Sequence, residues 1–530
     1  MNKIFFKAFL AVAVLLGLAS CNIDKNPVSS LEQAPFQSVK EAKLFRDGLY
    51  ALLRSTEAPG NQVACDYQTA IYNLAASDGN SLEPYYTWYE ISLANHDPIV
   101  AYYASYYRLI MQTNYLEMRV NEATKNKATL IKEKKFVEDD FQAMQDYLAE
   151  AKVMRALAYY RLMTRFSYRY EDGSDRGLIL LDSYKLDTKN KQVSQKEIYN
   201  YALRILDEAI AVLPDSYEGP RQNDIPTEMP KDFAYAVKAR ILLEMHDYKK
   251  VISTVNDFIG NYPLTDISAL SEAEKVAALK KIYVSEDSKE IMCKLYSSAH
   301  IGASKGPLHG GLVYNGNVFH IPTVVPSKYV LDLYAAEGND AIEDVRTKVY
   351  LANDTHGLWG APITYVGKFE GNPALNSKKD LPDFLVSTHL FNAAEAYLML
   401  AEAYAFDNQT TQALEEINKL RAARGVATKI AASAVGTPQE AQELVKRERL
   451  RELIGEGRHF TDLKRWGDAM DRVKHGQPQS TAIVPKLKMD KKDMVVPYDK
   501  NDQYGKMFAW EFPKNDLMTN PNLKSNWSKK

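Results

Sequence analysis

The chain reads as a mainly α protein: a tetratricopeptide-like helical-pair scaffold with loop-rich insertions and minor β structure. Three observations predict this. Apolar residues recur at helical spacing through most of the chain outside 263–382. Capping signals open these periodic stretches, as Ser38 with Glu41, Ser194 with Glu197 and Thr437 with Glu440 do. Two later stretches each hold two helical runs separated by a short turn, the pattern of a stacked helical repeat.

Taken in order, Ser38 and Glu41 open a helix carrying Leu44, Leu49 and Leu52. Pro98–Glu122 is a second, tyrosine-rich helical region. Phe141–Phe166 alternates small and large apolar residues at helical spacing: Leu148, Ala151, Ala156, Ala158 and Leu162. The helix capped by Ser194 runs through Ala202, Leu206 and Ile210 and stops at Pro214. Ala234–Met245 turns at His246 and Asp247, resumes from Tyr248 to Ile259 and ends at Gly260. Leu390–Phe406 turns at Asp407 and Asn408, then resumes through Ala413, Leu414, Ile417 and Leu420 to Gly425. This second pair is about 35 residues long, close to the tetratricopeptide repeat of about 34. Pro263–Pro382 is richer in Gly, Pro and Asn and reads as loops and small strands, with Glu290–Tyr296 an extended run. The expected organisation is one body over 38–530, with helices at about 38–260 and 385–470 and the insertion at about 263–382.

The stretch Thr437–Trp466 is the most distinctive. Pro438 suits the first helical position, and Leu444, Leu450, Leu453 and Ile454 form an apolar stripe. Arg447, Glu448, Arg449, Arg451 and Glu452 share those turns and can pair at helical spacing. Gly455 and Gly457 end the helix, and Arg458, Asp462 and Arg465 then alternate with Phe460, Leu463 and Trp466. Charged and apolar groups so interleaved share a partly buried environment, which requires the charges to pair. The expected role is structural.

At Glu448, Arg449, Glu452, Leu453, Glu456, Gly457, Arg458, Asp462, Leu463, Arg465 and Trp466 the chain resembles the SusD/RagB family of nutrient-binding outer-membrane lipoproteins. Asn520, Pro521, Asn522, Leu523 and Asn526 are similar to that family's closing motif, after Trp510, Phe512 and Pro513. Asn418–Gly425 is similar to another family segment, with its second arginine displaced by one place to Arg424. The resemblance implies a non-catalytic, tetratricopeptide-containing lipoprotein seated over a SusC-like TonB-dependent outer-membrane transporter. The role it implies is capture of glycans, or sometimes peptides, for import. Because the family's sugar contacts lie on variable loops, no binding residue transfers through the motif.

The N-terminus supports export independently. Lys3 and Lys7 flank an apolar run over Ile4–Leu18, and Leu18, Ala19, Ser20 and Cys21 form a lipobox-like ending. The run is about 15 residues, short of the roughly 20 that span a bilayer. Residues 1–20 are therefore expected to be a lipoprotein signal peptide, Cys21 the lipidated residue and 21–37 a tether, placing the protein on the outer membrane facing the exterior. A net charge of -2 with no long basic stripe excludes an electrostatic footprint for nucleic acid. Cys65 and Cys293 lack metal-ligand spacing and can pair or remain free.

Catalytic signals are weak. Gly302–Gly306 matches G-x-S-x-G, but Pro307, His309, Gly310 and Gly311 oppose the helix that a nucleophile elbow needs. The trio Glu138, Asp139 and Asp140 fits a helix start better than a pair of glycosidase carboxylates. Glu171, Asp172, Ser174 and Asp175 lack the spacing of an EF-hand, and no H-E-x-x-H is present, so neither a metal nor a cofactor is expected.

Binding chemistry is better represented. The 34 Tyr and 5 Trp supply flat rings that cover the apolar faces of sugars. Tyr85, Tyr86 and Trp88, with Tyr89, follow a turn at Asp78–Asn80, and in an extended segment Tyr86 and Trp88 share one side as an exposed platform. Further candidates are Tyr314 and Asn317, with Asn315 and Phe319, and Trp359, with His356 and Tyr365. The leading reading is a glycan binder. The alternatives are the same scaffold holding a peptide or other nutrient, and a surface glycosidase.

Overall fold

The computed structural model describes residues 35–76, 81–185, 189–306, 308, 312–314, 318–320, 323–335, 344–358, 360–378 and 384–527. Cys21, the signal segment and most of the tether lie outside them.

The long helices begin where side chains supply the partners that a first turn lacks. In α1 (Val39–Thr56) Ser38 Oγ accepts from the Glu41 amide at 3.2 Å, while the Glu41 carboxylate reaches back to the Gln37 amide at 2.8 Å. The next two are α2 (Asp97–Lys125) and α3 (Glu138–Phe166), the latter opened by Asp140 accepting from the Val137 amide at 2.8 Å. The acidic trio is therefore a helix start. A full capping box between Ser194 and Glu197 opens α4 (Gln195–Val212). Two helical hairpins follow, α5 (Lys231–Glu244) with α6 (Tyr248–Asn256) and α7 (Ala393–Phe406) with α8 (Thr410–Ala422). The helix expected from Leu390 starts instead at Ala393, because Leu390 belongs to the strand His389–Asn392, paired antiparallel with Ile291–Lys294. Last come α9 (Pro438–Leu453) and α10 (His459–Trp466). Glu440 closes the cap of α9 on the Gly436 amide at 2.7 Å, one residue before the position expected from the pattern.

Each helix packs on its successor from α3 through α8, and α9 closes on both α7 and α8. The result is the expected mainly α, tetratricopeptide-like scaffold. Small residues allow the close approach: Ala151, Ala156 and Ala158 of α3 and Ala234, Ala236 and Ala239 of α5 are fully buried. The largest apolar cluster draws on residues from Phe36 to Trp527, so the first and last described segments enter one core. Cys65 and Cys293 are buried within it as free thiols. The closing segment is tied down by Asn526, whose amide donates to the Phe166 and Trp510 carbonyls at 2.7 and 2.8 Å.

Short antiparallel pairs cover the scaffold. Tyr72–Leu74 pairs with Val324–Pro326, Leu312–Tyr314 with Val318–His320, and Leu351–Leu358 with Ala361–Val366. Ser304 sits inside the two-residue strand Ser304–Lys305, paired with Leu385–Val386, rather than at a strand-to-helix elbow. The acids near residue 172 are taken by lysines: Glu171 by Lys500, Asp172 by Lys196 and Asp175 by Lys524. No helix among the described residues is long and apolar enough to cross a membrane.

The charged motif is buried and paired, in three adjoining groups rather than one. Arg424 forks between Glu290 at 2.7 Å and Glu452 at 2.9 Å, while Arg346 reaches Glu448 at 2.8 Å and Glu452 at 3.0 Å. Arg465 holds Glu402 at 2.8 Å and Asp462 at 2.7 Å, and Arg449 joins Asp462 at 3.0 Å. Arg458 instead meets Glu395 at 3.0 Å, beside a two-pronged bond from Arg240 at 2.8 and 2.7 Å. These pairs tie α9 and α10 to α5, α7 and the insertion. Gly457 has φ of +69°, and a Cβ there would lie 1.9 Å from the Gln62 carbonyl oxygen, so the motif glycine is required twice over.

This arrangement sets an acid limit. Burial alone would raise the Glu395 carboxyl, but Arg240 and then Arg458 overcome it and hold it down to about 2. A depressed carboxylate contributes stability that is complete above its unfolded value of 4.5 and is lost as pH falls toward 2. The gap in urea midpoint between wild type and Glu395→Gln should therefore be widest near neutrality and narrow steadily below pH 4.5. A gap independent of pH would refute it.

Candidate functional site

The strands bring parts of the insertion together. The pair at Tyr72–Leu74 and Val324–Pro326 lies against Ala361–Val366, and the hairpin holding Tyr314 lies against Leu351–Leu358. Of the candidates themselves, Asn317 and Trp359 lie outside the described residues, and Tyr314 is placed only by its backbone register opposite Val318.

Tyr85, Tyr86 and Trp88 are described in full, and they do not form an exposed platform. The segment is not extended. Glu83–Thr87 is a short helix that starts with Pro84 in its first turn and ends at Trp88 in the left-handed conformation, φ 51°. That turn rotates the indole into the core, where it has no exposed surface, donates from Nε1 to the Gln68 carbonyl at 2.7 Å and meets the Phe508 ring edge-on at 5.1 Å. Tyr85 packs on Trp510 in the main cluster. Tyr86 enters a second cluster with the Arg472 guanidinium 3.8 Å above its ring centre. Burial raises the hydroxyl pKa of both tyrosines above the ordinary value.

The same turn sends the next ring outward. Tyr89 is 55% exposed and lies on the wall of a cleft of about 520 Å3. Tyr504 also lines it, with the Lys491 ammonium 5.7 Å from its ring centre, together with the carboxylates Asp490 and Glu83. Pro84, Thr87 and Ser92 complete the lining. The Glu83 carboxylate is committed to Lys488, and the Thr87 hydroxyl donates to the Glu83 carbonyl at 2.8 Å, which fixes the rim. Tyr504 is held by its loop, since Asp502 accepts from the Tyr504 and Gly505 amides, both at 2.8 Å. Two rings with a polar edge suit a ligand with a flat apolar face and hydroxyl rim.

Comparison with known proteins bears on the whole chain. The model of the SusD family matches residues 387–528, and a second family model, described as starch-binding associating with outer membrane, matches 26–243. The chain is SusD-like. A SusD superfamily protein from Bacteroides vulgatus is 18% identical, aligned over 93% of this chain and 100% of its own, with a TM-score of 0.69. Another from Bacteroides thetaiotaomicron is 20% identical over 92% and 99%, at 0.67. A SusD-like carbohydrate binding protein from Bacteroides vulgatus is 17% identical over 93% and 99%, also at 0.67. At these identities the likeness is one of fold. No curated protein matches.

In this SusD-like protein the motif at Glu448–Trp466 supplies none of the cleft's lining residues and is buried among its own ion pairs, whereas the cleft is built from two segments some 400 residues apart. Sequence reading included Tyr89 in the aromatic run but chose its neighbours, and it missed Tyr504. The signal for Tyr504 is the D-Q-Y-G turn, which holds a ring at a loop tip.

Proposed function

We propose that this SusD-like protein is a non-catalytic surface binder that captures glycan in the Tyr89–Tyr504 cleft and passes it to a SusC-like TonB-dependent transporter in the outer membrane. The exposed Tyr89 ring beside a polar rim is the observation that carries the reading. It is supported by the starch-binding, outer-membrane description of the matching family model and by the carbohydrate-binding neighbour of the same fold. Glycoside cleavage uses two working carboxylates, and of the pair lining this cleft, Glu83 and Asp490, Glu83 is engaged by Lys488, which favours holding over cleavage.

Truncating a central aromatic anchor costs about 2 kcal/mol or more in binding. Tyr89→Ala is thus expected to weaken association with the best polysaccharide on a glycan array more than tenfold, read by calorimetry, with an unchanged thermal melt. Full affinity in this variant would remove the cleft from the site. Anchoring through Cys21 is checked separately: Cys21→Ala should move the protein from the membrane to the soluble fraction, and an unaltered fractionation with an unacylated mature N-terminus would count against it.

A further inference from the structure

A second and larger cleft, of about 800 Å3, lies on the other side of the Tyr504 loop. The two clefts share a ridge rather than a stretch of surface. Tyr89 lines the first and the adjacent Glu90 the second; Tyr504 lines the first while Gln503 and Lys506 line the second. An ion pair between Glu90 and Lys506 at 2.5 Å crosses the ridge and joins the short helix Glu90–Ala94 to the turn Gly505–Phe508. The ridge is stiff, because a Cβ on Gly505 would come within 2.3 Å of the Asp499 carbonyl oxygen and because the Tyr168 hydroxyl donates to the Lys506 carbonyl at 3.0 Å.

The chemistry of the second cleft resembles that of the first. Its acidic and basic side chains are equal in number and include the pair Glu171–Lys500 at 3.3 Å, so it has no net charge with which to select an ionic polymer. Asn501 and Gln503 stand exposed, with amides placed to exchange hydrogen bonds with hydroxyl groups. A chain seated on Tyr89 reaches these groups across the segment that carries Tyr504, since Tyr504 lines the first cleft and the adjacent Gln503 the second.

We propose that the second cleft is an extension subsite of the first, so that the protein grips a neutral oligosaccharide long enough to cross the Tyr504 ridge. This rests on the glycan reading above. Two linked subsites multiply affinity through effective concentration, so the wild type should gain about tenfold or more once a chain spans both. The test is calorimetry of the full chain with ladders from disaccharide to decasaccharide prepared from starch, β-glucan, xylan and mannan. The double variant Asn501→Ala, Gln503→Ala changes only exposed loop side chains, and a thermal melt checks that it folds. The expected result is unchanged affinity for short chains with the gain for long chains abolished. If long chains gain nothing in the wild type, or gain equally in the variant, the extension subsite is refuted while the first cleft stands. If no member of the ladders binds, the glycan reading itself falls and takes this inference with it.

Discussion

Glu452→Ala is expected to destabilise the protein by about 3–5 kcal/mol, the usual cost of stranding the partners of a buried ion pair. Glu452 has no exposed surface and accepts from Arg424, Arg346 and the Tyr350 hydroxyl, the last at 2.8 Å. Burial would raise its carboxyl, yet Arg424 and then Arg346 hold it far below the ordinary range, so the folded state depends on the charged form. Removing it leaves the fully buried Arg424 guanidinium with Glu290 as its one remaining carboxylate among the described residues, and deprives Arg346 of one of three. Urea unfolding followed by circular dichroism measures the loss, and calorimetry on the surviving folded fraction should find carbohydrate affinity retained. Lost binding at undiminished stability would mean that the motif is itself a site.

Trp88→Ala is expected to cost about 3–5 kcal/mol through the cavity left by a large buried ring. The Gln68 carbonyl would also lose its indole donor, and the edge-on contacts with Phe508 would go. The contrast with Tyr89→Ala is the sharper test, since adjacent aromatic residues are assigned opposite roles. Trp88→Ala should lower the melting temperature and leave the folded fraction able to bind; Tyr89→Ala should do the reverse. Equal effects on stability, or a loss of binding confined to Trp88→Ala, would restore the indole as the platform.

These assignments separate what is local from what is not. Ser194 with Glu197 and Thr437 with Glu440 mark helix starts in the sequence because a cap is satisfied within three or four residues. The hairpins at 231–256 and 393–422 are legible for the same reason, as their spacing and turns lie within one repeat. The motif from Glu448 to Trp466 announces pairing, since interleaved charges and apolar residues on buried turns allow nothing else. It does not name the partners. Arg424 bonds Glu290 from 134 residues away and Arg458 takes Glu395 from 63 residues away, because those choices follow from how helices pack.

The aromatic run shows the boundary most clearly. Five residues ending in Trp88 and Tyr89 identify by composition alone a place where rings gather. Which ring faces water depends on one backbone residue entering the left-handed region, and on Phe508 and Gln68 arriving to cover the indole. Tyr504, which lines the same cleft as Tyr89, comes from a segment some 400 residues further along the chain. Sequence by itself determined the helical scaffold, its repeats and the structural nature of the charged motif, all of which rest on short-range periodicity and capping. The tertiary structure alone decided which ring is buried, which is exposed and which charges meet, because burial belongs to surfaces that are distant in sequence and adjoin only when folded.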